Sequence, residues 1–197
     1  MEWSEVEGLA DAAFKVAGLD ASAPAKTLQL VAGVIGTASV QVLSVPDLLA
    51  PAALARVRGD WRVYLRPELS PAAKRWLVLH EVAEWLLRRE SYAAVDVEEV
   101  ADSLAACLRA PRRAVLAISR KSWSDLGPAF KTSASSALLR AGEVLGTPTL
   151  LLAKTQRVRG SAWNWPSQQQ LRAMVAHPPR GIECLRLESD RIALRVA

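Results

Sequence analysis

Arg75-Trp76-Leu77-Val78-Leu79-His80-Glu81-Val82-Ala83-Glu84-Trp85-Leu86-Leu87 is apolar on every side of a helix except at His80, Glu81 and Glu84. Three ionisable groups therefore lie in a segment whose pattern calls for burial. Residues four apart on a helix stand one above the other, which puts His80 and Glu84 on one face about 6 Å apart and Glu81 on the adjoining side. A carboxylate in such a helix costs several kcal/mol unless a cation or a metal faces it. The spacing His-Glu-x-x-Glu differs only at its last position from the metalloprotease helix His-Glu-x-x-His, in which the first and fifth residues hold zinc and the Glu activates water. The plainer alternative is a core histidine hydrogen-bonded to a neighbour, with the carboxylates solvated.

Immediately upstream, Ser70-Pro71 supplies an N-cap and an N1 proline, so the helix is expected to begin there. Before it, Leu54 to Arg58 and Trp61 to Arg66 alternate around Gly59-Asp60, the pattern of a β-hairpin with a two-residue turn. Ser39 to Val45 alternates as a half-buried strand and stops at Pro46. Apolar residues recur at helical spacing between Ser4 and Gly18, and a second helix is expected from about Ala25 to Gly36.

Downstream, Asp96-Val97-Glu98-Glu99 opens a helix with Asp96 at the N-cap and Glu99 at N3. Its core stripe is Val97, Val100, Leu104, Cys107 and Leu108, and Glu98 and Asp102 share the adjoining face. A third carboxylate ligand and an acceptor for the histidine's other ring N–H can come from that face. Read alone, Glu98 and Glu99 are also ordinary first-turn acids that complement the helix dipole.

Taken together these blocks resemble the ImmA/IrrE-type metallopeptidases, shortened relatives of the thermolysin-like zinc peptidases. The resemblance spans roughly residues 50 to 160. It is carried by Ala55 to Val63, by His80-Glu81-Val82-Ala83-Glu84-Trp85, by Glu98 to Pro111, and by Leu126 to Arg140. It implies that His80, Glu84 and Glu98 hold zinc, or manganese in its place, that Glu81 is the general base, and that Asp102 orients His80. It also implies a protein substrate, a helix-turn-helix repressor cut to switch on stress or mobile-element genes. This chain departs from the family pattern in having Glu84 where the family has His, and Asp102 where it has Asn. Should Glu84 fail as a ligand, Glu99 and His177 are the replacements to examine. Two anionic ligands leave an ion less electron-poor, so activity is expected to be slow or absent. In the latter case the chain would be a regulatory module that binds a repressor or DNA.

The 197 residues, 51% hydrophobic and 23% charged, suit one full core or one core with a small appended module. Cys107 and Cys184 are too few and too far apart for a disulfide framework, the acidic start Met1 to Glu7 is unlike a signal peptide, and no run of 18 apolar residues occurs. A cytoplasmic protein without membrane partners is expected. Residues 1–108 carry 10 Lys+Arg against 15 Asp+Glu and residues 109–197 carry 15 against 5, so the halves are −5 and +10. The run Arg109, Arg112, Arg113, Arg120 and Lys121 is the candidate contact for nucleic acid or a partner, with DNA expected to bind weakly if at all.

In the C-terminal part, a helix over Pro111 to Ser119, a short helix opened by Ser122 and Asp125, and a helix from Thr132 or Ser133 to Gly146 form a helix-turn-helix-like group, read as structural support. Strands are expected at Thr149 to Ala153, Arg157 to Trp163, Glu183 to Leu187 and Arg191 to Val196, with Trp163 and Trp165 as core aromatics. The expected fold is α+β: a small antiparallel sheet beside a zincin-like helical core (1–110), a helical region (111–147) and a C-terminal antiparallel sheet (148–197).

Overall fold

The computed structural model describes residues 1–90, 92, 97–119, 124–147, 149–153, 156–160, 175, 177, 180–186 and 191–196. Expectations for Asp96, Arg120, Lys121, Ser122, Trp163, Trp165 and the turn at 188–190 fall outside these residues. The chain divides into two compact units, Met1–Ala114 and Val115–Ala197. The fold is α+β.

The first unit runs α1 (Trp3–Val16), α2 (Thr27–Ile35), β1 (Gln41–Ser44), β2 (Ala52–Val57), β3 (Asp60–Leu65), α3 (Pro71–Arg89) and α4 (Val97–Arg109). Helix α3 starts where its cap chemistry dictates: Ser70 Oγ accepts from the Ala73 N–H at 3.2 Å and Pro71 takes the first helical position. Its stripe Val78, Leu79, Val82, Ala83 and Leu87 is buried, as is the stripe Val100, Ala101, Leu104, Ala105, Cys107 and Leu108 of α4, and the two helices pack together. Helix α1 closes the core on α4 with Val6, Ala10, Ala13 and Phe14.

Strand order is β1-β3-β2, with β2 on the edge that adjoins α3. Two details differ from the sequence pattern. Strand β1 joins β3 in parallel, Gln41 opposite Arg62 through Ser44 opposite Leu65, so this sheet is mixed rather than wholly antiparallel. Alternation reports which residues share a face and is blind to strand direction. The hairpin turn is Arg58-Gly59, with φ of 53° and 95°, rather than Gly59-Asp60. Two left-handed residues in succession match the right-handed twist of the strands, and Gly59 takes the second position without steric cost.

Moving the turn by one residue moves the pairing by two, so Leu54 meets Val63 and Ala52 meets Leu65 while every side chain keeps its face. Val63, Leu65 and Ala52 are buried on one side of the sheet, and Trp61 on that same side meets Trp85 of α3 edge-on, with ring centroids 5.8 Å apart. The hairpin is thereby fixed against the middle of α3.

Helix α2 approaches the end of α1 through Gly33, where a Cβ would stand 2.6 Å from Ala17 Cβ and 2.7 Å from Ala17 Cα. Gly33→Ala is therefore expected to destabilise the chain by about 1–3 kcal/mol, the usual cost of overpacking, after any gain in helix propensity is overtaken. Urea denaturation should show a lower midpoint at an unchanged slope. An unchanged or higher midpoint would contradict this close approach.

Helix α5 (Arg112–Ser119) runs across the division between the units. The second unit then contains α6 (Leu126–Phe130), α7 (Ala134–Leu145), β4 (Thr149–Ala153), β5 (Gln156–Gly160), β6 (Ile182–Arg186) and β7 (Arg191–Val196). Ser133 caps α7, its Oγ accepting from the Ser136 N–H at 3.1 Å. The four strands form an antiparallel sheet in the order β5-β4-β7-β6, with a register irregularity between Leu151 and Leu152. Among the described residues no helix is long and apolar enough to cross a membrane.

Candidate metal centre

The crossing of α3 on α4 brings together side chains 14 to 22 positions apart in sequence: His80 and Glu84 from α3, and Glu98 and Asp102 from the first two turns of α4. His80 Nδ1 lies 3.0 Å from Asp102 Oδ1. Its Nε2 lies 3.4 Å from Glu98 Oε2 and 3.5 Å from Glu84 Oε1. The side chains of His80 and Glu84 are 12% and 10% exposed, whereas those of Glu98 and Asp102 are 76% and 61% exposed. The site thus has a buried wall on α3 and an open rim on α4.

Asp102 faces Nδ1 as an acceptor, and with the ring proton on Nδ1 a neutral His80 presents its Nε2 lone pair toward Glu84 and Glu98. In that tautomer Nε2 and the two carboxylate oxygens are three acceptors facing one another, an arrangement that a shared cation joins. Separations of 3.4 and 3.5 Å are long for charge-assisted hydrogen bonds of about 2.7–2.9 Å. They suit a metal: bonds of about 2.0–2.2 Å from zinc to nitrogen and oxygen in a tetrahedron set the donors about 3.4 Å apart. All three donor atoms lie within 4.8 Å of one another, so His80, Glu84 and Glu98 can hold one metal ion. One imidazole nitrogen and two carboxylate oxygens are donor types that divalent metal ions accept.

Glu81 stands beside this group on α3. Its Oε2 accepts from the Leu54 N–H at 3.0 Å. That amide belongs to edge strand β2 and points away from β3, as alternate amides of an edge strand do. Burial pushes the Glu81 carboxyl above the ordinary carboxylate range; the Leu54 N–H opposes the shift and the charge on Glu84 adds to it.

Two contacts escaped the sequence reading. The first is the Leu54 N–H, a backbone donor that leaves no trace in side-chain identity. The second is Arg88, whose guanidinium reaches back one turn to Glu84 Oε2 at 2.5 Å. Glu84 and Arg88 at i and i+4 are an ordinary helical pair, and that rule could have found it.

The remaining candidates lie elsewhere. Glu99 is exposed, with its backbone carbonyl accepting from Ser103 Oγ, and His177 is exposed in the other unit; neither belongs to the His80 group. Arg109 turns inward, its guanidinium 6.0 Å from the Trp76 ring centre and 3.4 Å from the Ala72 carbonyl oxygen, with a pKa lowered by burial and by Arg75. Arg112 and Arg113 are exposed at the start of α5.

Asp102 touches only the far nitrogen of His80, so Asp102→Ala is expected to weaken metal binding by about 10–100-fold without abolishing it, the usual effect of losing such an orienting carboxylate. Zinc titration against a chromophoric chelator measures this. Unaltered affinity would mean that Asp102 does not set the ring's orientation.

No protein-family model matches the chain, and no curated protein matches its sequence. Among solved structures, its fold is similar to that of a Mycobacterium tuberculosis transcriptional regulator, at a TM-score of 0.57 and 11% sequence identity over 98% of this chain and 87% of that one. At that identity the likeness is one of fold.

Proposed function

We propose that the protein is a metal-dependent, site-specific endopeptidase in which His80, Glu84 and Glu98 hold the ion, zinc before manganese, and Glu81 is general base and then general acid. The observation that carries this reading is the position of His80 Nε2, 3.5 Å from a Glu84 oxygen and 3.4 Å from a Glu98 oxygen, with a half-buried third carboxylate alongside. A bound zinc ion supplies Lewis acidity, polarising the scissile carbonyl and acidifying water. Glu81 then takes the proton of the attacking water and returns it to the leaving amine. A carboxyl whose burial raises its affinity for protons suits both halves of that shuttle. Asp102 holds His80 in the tautomer that ligation needs.

For substrate we propose a helix-turn-helix repressor, cut in the cytoplasm in a stress or mobile-element response. This is what the resemblance of residues 50 to 160 to ImmA/IrrE-type metallopeptidases implies. A second reading draws on the fold neighbour, which is a transcriptional regulator: a module that grips a repressor or DNA without cutting. One experiment separates the two. Zinc-loaded protein is incubated with a panel of helix-turn-helix repressors, and the mixtures are followed by intact-mass spectrometry and by DNA retardation at physiological salt. Cleavage of a panel member at a single bond supports the peptidase. Complexes that stay intact, or sequence-selective DNA binding below micromolar concentration, support the regulatory reading.

A further inference from the structure

Glu84, standing where a His-Glu-x-x-His helix has its second histidine, raises a problem that a second residue answers. Glu84 adds a negative charge to a site that already holds Glu81, Glu98 and Asp102, and it adds it on the buried wall, where a carboxylate with no cation opposite costs several kcal/mol. A carboxylate also has two oxygens, whereas the imidazole of a His-Glu-x-x-His helix has one nitrogen to offer. Free to chelate through both, it raises the coordination number and favours hard ions with many oxygen donors over four-coordinate zinc.

Arg88 meets both difficulties. Its guanidinium donates to Glu84 Oε2, while Oε1 is the atom that faces His80 Nε2. The two oxygens are thus divided between a cation of the protein and the metal position. With Arg88 counted, the ligands His80, Glu84 and Glu98 carry the same net charge as a neutral His, His, Glu set. We propose that Arg88 is a positioning residue of the metal centre, restricting Glu84 to one-oxygen ligation and offsetting its charge so that a His-Glu-x-x-Glu helix presents a zinc-type site. The proposal rests on the metal reading above. It removes the expectation, drawn from ligand charges alone, that Glu84 must make the centre slow or inert.

A purely structural i,i+4 pair would steady the helix whether or not a metal is bound, and would leave the spectrum and the metal preference of the centre unchanged. The Arg88 side chain is 66% exposed, so its replacement leaves no cavity. The test uses cobalt(II) as the probe on the full chain, because the visible absorption of cobalt is intense in four-coordinate sites and weak in five- or six-coordinate ones. The wild type is expected to give the intense spectrum. Arg88→Met should weaken it several-fold and shift the competition between zinc and manganese toward manganese by about 10-fold or more, the scale on which outer partners act. Arg88→Lys should retain most of the wild-type spectrum, since an ammonium can still hold Oε2. In a Glu84→His background, Arg88→Met should change neither spectrum nor metal preference.

If the wild type takes up cobalt and Arg88→Met gives the same spectrum and preference, the role of Arg88 is overturned while the metal centre stands. If the wild type takes up no cobalt, zinc or manganese, both fall together.

Discussion

Glu81→Gln is expected to leave the metal content of the protein unchanged and to slow peptide cleavage by about 10²–10⁴-fold, the range general acid–base catalysis supplies. The amide is nearly isosteric with the acid and neutral, so it can neither take the proton from water nor return it to the leaving amine. It can keep the contact to the Leu54 N–H through its carbonyl oxygen, which guards the position of β2 against α3. Elemental analysis and a cleavage assay on the same preparation are both needed. Loss of metal in this variant would make Glu81 a ligand, and full activity would remove it from the chemistry.

Glu84 carries the second large effect. Glu84→Ala removes a ligand from the buried wall and leaves Arg88 without its carboxylate, so metal affinity should fall by more than the ~10–100-fold that outer-sphere changes cost, and activity should fall with it. Glu84→His puts a neutral donor on the same face one turn from His80, which should favour zinc over manganese and bring the acidity of bound water toward the pKa of about 7 typical of catalytic zinc. That variant should bind zinc at least as tightly as the wild type and cleave as fast or faster at neutral pH. Full metal content and activity in Glu84→Ala would exclude Glu84 as a ligand.

Local rules made α3, its Ser70 cap and the pairing of His80 with Glu84 legible, because helix period and capping depend on residues within a turn of one another. They also placed Glu98 and Asp102 on one face of α4. The distances that bring those two to opposite ring nitrogens of His80 depend on how α4 crosses α3, which burial stripes indicate only as a face. The hairpin was legible but its turn was not, since Arg58-Gly59-Asp60 offers glycine to two neighbouring turns and the choice rests on which residue accepts a positive φ. The parallel seat of β1 was hidden for a similar reason, as Gln41 to Ser44 alternates identically in either direction. Arg88 was within reach of the i,i+4 rule, but the rule says only that the two side chains can meet, and which of the two Glu84 oxygens the guanidinium takes depends on how α4 crosses α3.

The most direct measurement is the metal content of the chain purified without chelators and then equilibrated with zinc, determined by elemental analysis beside His80→Ala. One divalent ion per wild-type chain, with little or none in His80→Ala, is the result expected if Nε2, Glu84 and Glu98 share an ion. A wild type that stays free of zinc and manganese, or a His80→Ala variant that holds as much as the wild type, would contradict the metal centre and the peptidase reading built on it.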